Sequence, residues 1–175
     1  MECDEKLRYP IGKFHEPEII SSEILQNWIK NIEDFPKLVR NEVENLSNEE
    51  LQKTYRPGGW TILQVVHHCA DSHMNSFIRF KLALTEETPT IKPYYENLWA
   101  ELSDTIQAPI QSSIALLEGL HQRWTILIKT LSTDDLNKQF RHPETDSFIT
   151  LKTNIGIYSW HCMHHLAHIR NAKNN

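Results

Sequence analysis

The pattern of hydrophobic and polar positions predicts four long helices. In four segments, apolar side chains recur every three or four residues, the period of a helix with one buried face. These segments cover about residues 22–45, 62–85, 109–130 and 152–172. Pro36 lies inside the first segment, and we expect it to kink or split that helix because proline removes a backbone hydrogen bond. The pattern predicts an all-α fold, a four-helix bundle.

The connections between the long helices predict shorter elements. The chain is expected to start in an extended conformation that ends near Pro17. Ser47 and Glu50 have the spacing of a capping box, which predicts a short helical turn after the first helix. Further short elements are expected: helical turns near residues 96–102 and 132–138, and a small hairpin within residues 140–151.

Length and composition narrow the class of protein. The 175 residues suit a single domain spanning residues 1–175. The net charge is -5, and the basic residues form no stripe, which argues against a nucleic-acid partner. No apolar run is long enough for a membrane span, and the charged start does not resemble a secretory signal. Cys3, Cys69 and Cys162 are odd in number and far apart, so we expect no disulfide scaffold and a cytoplasmic location.

The histidines are the main chemical signal. The chain has ten, of which four lie within residues 161–168 and three within residues 67–73. His161 and His165 are one helical turn apart, so both rings can reach the same metal ion. Apolar residues one turn before and after them indicate that this face is buried. A single histidine is usually a surface or hydrogen-bonded core residue, whereas four within eight residues favour a metal site.

A third metal ligand has to come from another helix. The second helix offers His67, His68 and His73. His68 lies on a polar stripe, which is either a solvated face or the wall of a polar pocket. His67 lies at the edge of the apolar face, and helical phase alone does not choose between His67 and His68. Cys69 and Cys162 each follow a candidate ligand, but we expect them to pack as small buried side chains rather than bind metal.

Candidates for substrate binding and proton transfer are few. Arg56 and Arg79 can hold an anionic substrate, although single arginines are usually ordinary surface charges. Asp71 and Asn75 lie on the same stripe as His68, but the sequence does not show whether they reach the site. The catalytic residues are therefore left unassigned.

Seven blocks of the sequence carry a family resemblance. They are YPIG at 9–12, GGWT at 58–61, VHHCADSHMN at 66–75, IRFK at 78–81, HQRW at 121–124, HP at 142–143 and WHCMHHLAHI at 160–169. As a set they resemble the DinB superfamily and its YfiT branch of provisionally assigned metal-dependent hydrolases, which includes bacillithiol S-transferase. The resemblance implies a four-helix bundle with a three-histidine site for zinc or nickel. It matches the HxxxH pair to His161 and His165, and the spacing from Trp60 favours His68 over His67.

At residues 164–168 the sequence departs from the common superfamily motif. The common superfamily ending HHRGQ is replaced here by HHLAH, which fits the YfiT branch and argues against borrowing chemistry from other branches. The resemblance also implies a homodimer, which the residues themselves do not indicate.

Three hypotheses for function follow. Three imidazoles leave coordination positions open, as a catalytic centre requires. The first hypothesis is a thiol S-transferase, in which a low-molecular-weight thiol gains a lower pKa at the metal and attacks an electrophilic substrate. The alternative is a hydrolase that activates water at the same site. The third is a non-catalytic metal-binding protein of the stress response. Zinc and nickel suit the three histidines in similar ways.

Overall fold

The computed structural model describes residues 2–175, with side chains described from residue 5 onward. Within that range it contains nine helices and one two-stranded sheet. In chain order they are α1 (Glu2–Arg8), α2 (Ser22–Val43), α3 (Asn48–Leu51), α4 (Ile62–Thr85), α5 (Glu96–Trp99), α6 (Ser103–Gln107), α7 (Ile110–Lys129), α8 (Thr133–Asn137), β1 (Gln139–His142), β2 (Ser147–Thr150) and α9 (Leu151–Lys173). Helices α2, α4, α7 and α9 form a four-helix bundle, so the predicted fold class is confirmed. The side chain of Cys3 lies outside the described part.

The long helices begin where the sequence supplies capping side chains. The Thr61 hydroxyl accepts from Gln64 N at 3.1 Å, and the Gln64 side chain accepts from Thr61 N at 3.0 Å. This capping box fixes the first residue of α4. Ser21 caps α2 and Thr150 caps α9 in the same manner, through one backbone N–H each. The limits of all four long helices agree with the predicted limits to within two residues.

The structure corrects two expectations for the N-terminal half. Helix α2 is not split at Pro36 but continues through it, and the expected kink there stays a prediction. Pro36 is buried beside Phe35, and packing of this face offsets the lost hydrogen bond. The expected extended start is a helix over Glu2–Arg8. That helix has no apolar stripe, and the Arg8 carbonyl instead holds it against His168 on α9.

The bundle buries an apolar core and, beside it, an unusual number of histidines. Helix α2 packs against α7 and α9, and α4 packs against the same two helices. Trp124, Phe35 and Phe80 are fully buried at the centre. Seven histidines are buried among the described side chains: His67, His68, His73, His121, His164, His165 and His168. Buried polar rings need hydrogen-bond partners, and these partners define the candidate site.

The predicted hairpin is confirmed. Strands β1 and β2 pair antiparallel, with Gln139 opposite Thr150 and His142 opposite Ser147. The segment after α4 runs beside β1, where Ile91 N donates to the Arg141 carbonyl at 3.0 Å. The hairpin and this segment line a cavity together with Tyr158 and His161 of α9.

Four further expectations stay predictions or receive a narrower answer. None of the helices in residues 2–175 has both the length and the hydropathy needed to cross a bilayer. The single-domain assignment, the homodimer and the cytoplasmic location stay predictions.

The close approach of α2 and α9 generates a test of packing. A Cβ on Gly156 would lie 2.7 Å from two ring carbons of Trp28. We expect Gly156→Ala to lower the free energy of unfolding by about 1–3 kcal/mol through overpacking, despite alanine's better helix propensity. The matched control is Gly119→Ala in α7, where a Cβ meets nothing within 4 Å, so stability should rise by about 0.5–1 kcal/mol. Urea denaturation measures both, and equal shifts for the two variants would contradict the packing account.

Candidate metal centre

Three of the predicted residues converge between α4 and α9. His68, His161 and His165 each offer a ring nitrogen, and these nitrogens all lie within 4.8 Å of one another. The Nε2 atoms of His68 and His161 are 3.3 Å apart. Two nitrogens that bind one zinc ion tetrahedrally at 2.0–2.1 Å would be about 3.3 Å apart. The spacing and the donor set therefore fit a divalent ion.

The ring of His161 is oriented by two further histidines. His121 Nδ1 lies 2.6 Å from the Ile32 carbonyl oxygen, which can only accept, so this nitrogen carries the hydrogen. In neutral rings His121 Nε2 then accepts from His73 Nδ1, and the two atoms are 2.7 Å apart. His73 Nε2 in turn accepts from His161 Nδ1 at 3.0 Å. The chain of bonds leaves the lone pair of His161 on Nε2, the atom that faces His68.

A second chain orients His165. His168 Nε2 donates to the Arg8 carbonyl oxygen at 3.1 Å, so its Nδ1 holds a lone pair. That nitrogen accepts a long hydrogen bond from His165 Nδ1 at 3.4 Å, which leaves His165 Nε2 free. His164, His165 and His168 also offer donors within 4.8 Å of one another. Because both ring nitrogens of His168 are engaged, this second group is a poorer metal site than the first.

Burial keeps the histidines of the centre neutral. It lowers the pKa of His68 to about 4, with His168 adding to the effect. It also lowers the pKa values of His161 and His165 well below their ordinary range, and neighbouring histidines reinforce the shift. A metal ion binds the neutral imidazole, so protons do not compete for these nitrogens near pH 7.

The cysteines do not make a better site. Cys69, His73 and His161 offer donors within 4.8 Å of one another. However, both nitrogens of His73 are engaged in the chain of hydrogen bonds. Burial raises the pKa of the Cys69 thiol far above its ordinary value, which keeps it protonated. Cys69 and Cys162 are both unbonded and fully buried in the core, as expected of small packing residues.

Of the other sequence candidates, Arg56 lines the cavity above the centre and Arg79 lines a neighbouring one, whereas the rest lie away from the centre. His67 Nδ1 is 2.6 Å from the Ser113 hydroxyl, so this ring faces α7. Asp71 and Asn75 do not line the cavity above the centre. Burial and the charge of Asp104 raise the pKa of Asp71 to about 6.

Sequence reasoning offered His73 only as a possible third ligand and gave His121 no role, whereas the structure places both in the hydrogen-bond chain that orients His161. His121 does carry a signal, because it occupies a position of the apolar stripe of α7 between Leu117 and Trp124. A histidine in such a stripe requires a buried partner.

A cavity of about 320 Å³ opens over the centre. The three histidines form part of its wall, together with Trp60 and Trp160. Within the described part of the chain, Glu96 is the only carboxylate that lines it. Tyr9, Tyr55, Arg8 and Arg56 also line the cavity. It therefore offers a substrate aromatic surfaces, two arginines, one carboxylate and the free side of the centre.

Comparison with known proteins identifies relatives whose provisional names indicate metal dependence. The DinB superfamily profile matches residues 31–169. A provisionally named metal-dependent hydrolase of Oceanobacillus iheyensis is 54% identical over 162 residues, 93% of each chain. YfiT of Bacillus subtilis, with the same provisional name, is 50% identical over 163 residues, 93% of this chain and 92% of YfiT. A solved structure of YfiT, described as a "probable metal-dependent hydrolase with an unusual four-helix bundle topology", superposes with a TM-score of 0.93, 48% identity and 97% coverage of both chains.

The hydrogen-bond chain through His121 predicts a loss of metal affinity on mutation. His121→Phe removes the acceptor for His73, so the lone pair of His161 is no longer fixed on Nε2. We expect zinc affinity to fall by about 10–100-fold in a chelator competition assay. His121→Gln keeps an acceptor oxygen and should lose less. His67→Phe, a change of another buried histidine, is the matched control, and an equal loss there would contradict the role of the chain.

The depressed pKa values predict that acid destabilises the metal-free protein. The folded pKa values of His68, His121 and His168 are about 4, mainly through burial. Unfolded histidine titrates near about 6.5, so between these values the unfolded state binds more protons. Each such histidine removes about 1.4 kcal/mol of unfolding free energy per unit of falling pH. We expect the free energy of unfolding, measured by urea denaturation, to fall between about pH 7 and 5. The slope should correspond to the uptake of more than one proton on unfolding. An unfolding free energy that does not change between about pH 7 and 5 would contradict this account.

Proposed function

The chain belongs to the DinB superfamily, and we propose that it is a metal-dependent enzyme in which His68, His161 and His165 bind zinc or nickel. The observation that carries the proposal is the convergence of three neutral imidazoles beside an open cavity. The provisional names of the relatives support metal dependence. A divalent ion in such a site lowers the pKa of a thiol or water that binds to it.

We propose thiol S-transfer as the reaction. The thiol loses its proton, a carbon–sulfur bond forms, and the electrophile's bond to its leaving group breaks with the electron pair going to that group. The aromatic side chains of Trp60 and Trp160 give the cavity apolar surfaces that suit an apolar electrophile. His161 also lines a second cavity, which gives room for two organic substrates around one centre. This room favours group transfer over hydrolysis.

Hydrolysis is the second candidate, and two observations favour it. The relatives carry provisional names as metal-dependent hydrolases. Glu96 is placed on the cavity wall, where a carboxylate can accept a proton from an attacking water. In this reaction a carbon–oxygen bond forms and the bond between the acyl carbon and its leaving group breaks.

An assay with and without thiol separates the candidates. Metal-loaded protein is mixed with cysteine and 1-chloro-2,4-dinitrobenzene, and separately with p-nitrophenyl acetate alone. Thiol-dependent release of chloride above the uncatalysed rate is expected, and it should disappear in His68→Ala together with bound metal. Turnover that needs no thiol would reject the transferase. Metal binding without either activity would favour a non-catalytic metal-binding protein.

Replacement of Glu96 gives a second way to distinguish the hydrolase from the transferase. In a hydrolase Glu96→Gln removes the general base and should lower turnover by about 10²-fold or more. A thiol already acidified by the metal needs less help, so transfer should fall by less than about 10-fold. The matched control is Glu101→Gln, an exposed carboxylate of the same connection that lines neither cavity. A similar loss in both variants would show that the effect is not specific to the cavity.

A further inference from the structure

A second cavity lies on the other side of His161. Its volume is about 700 Å³, and it is enclosed by α4, α9, the hairpin and the segment that follows α4. His161, Glu96 and Asn97 line both cavities. A molecule held in the second cavity can therefore extend to the candidate metal centre.

The second cavity contains a half-buried guanidinium without an ionic partner. Arg79, on α4, lines this cavity and is half-buried. Within the described part of the chain it makes no ion pair or hydrogen bond. Two carboxylates, Glu96 and Glu144, also line the cavity, but both residues are exposed at its rim and stay in water.

His142 on β1 adds a second unsatisfied group. Its Nδ1 atom is buried and has no hydrogen-bond partner. Burial lowers the pKa of His142, and the nearby charge of Arg79 lowers it further. The buried Nδ1 atom has almost no accessible surface, so it does not face the cavity, whereas the guanidinium of Arg79 is only half-buried. An anion in the cavity would give Arg79 a counter-ion in a partly desolvated site beside the His142 ring.

We propose that the second cavity binds an anionic group of the substrate through Arg79, beside the ring of His142. Carboxylate, phosphate and sulfonate groups share the required chemistry, since a guanidinium binds each of them through two parallel hydrogen bonds. The substrate would be anchored there and would extend past His161 to the centre. The substrate assignment rests on the proposed function, whereas anion binding by the cavity does not.

Anion binding is tested directly on the metal-free protein. Succinate, inorganic phosphate and methanesulfonate are titrated while backbone amide NMR signals are followed, and the tightest probe identifies the preferred group. We expect saturable shifts at β1 and at the end of α4. Arg79→Gln should weaken binding at least about 10-fold, and Arg79→Lys should weaken it less. Arg123→Gln changes an exposed arginine outside the cavity and should have no effect. Equal binding by wild type and Arg79→Gln would overturn the proposal.

Substrate selection is tested on the metal-loaded enzyme. The thiol 3-mercaptopropionate is compared with its neutral amide in the 1-chloro-2,4-dinitrobenzene assay. We expect the acid to have a KM at least about 10-fold lower, and Arg79→Gln to raise that KM with little change for the amide. An unchanged ratio in Arg79→Gln would overturn the substrate assignment. If neither thiol is turned over, the proposed function fails, and the NMR titration still decides whether the cavity binds anions.

Discussion

Two backbone carbonyl groups determine which nitrogen atoms the candidate metal centre presents. The Ile32 carbonyl fixes the hydrogen on His121, and through His73 it frees Nε2 of His161. The Arg8 carbonyl acts similarly on His165 through His168. A carbonyl oxygen has no alternative role, so each chain of hydrogen bonds has one direction. The lone pairs are thereby set before any ion binds, which reduces the reorganisation that binding requires.

This arrangement explains why one end of the bundle tolerates so many buried histidines. Each neutral imidazole is both a donor and an acceptor, so histidines can be linked in series while every buried nitrogen is satisfied. The series crosses the bundle from α2 through α7 and α4 to α9, and it couples the position of the centre to the packing of all four long helices. Among the described residues, the buried histidine nitrogens without a partner are those of His142 and His164, and both residues line one of the two cavities.

The features that could be predicted from the sequence are those that local interactions determine. The limits of the long helices follow from capping side chains and apolar periodicity, and the grouping of His161 and His165 follows from one helical turn. Helical phase does not specify how two helices are rotated against each other, so it could not decide between His67 and His68. The link from His73 to His121 depends on the same rotation. Helix α1 was missed because a tertiary contact, rather than an apolar stripe, holds it in place.

The choice of three neutral ligands has an electrostatic consequence. Imidazoles contribute no negative charge, so an ion bound by them would keep its full double charge for an incoming thiol or water. A thiolate from Cys69, the nearest alternative donor, would cancel part of that charge and weaken the acidification of the substrate. Burial of both cysteines in the apolar core keeps them protonated. The same core that stabilises the bundle therefore preserves the charge on which either proposed reaction depends.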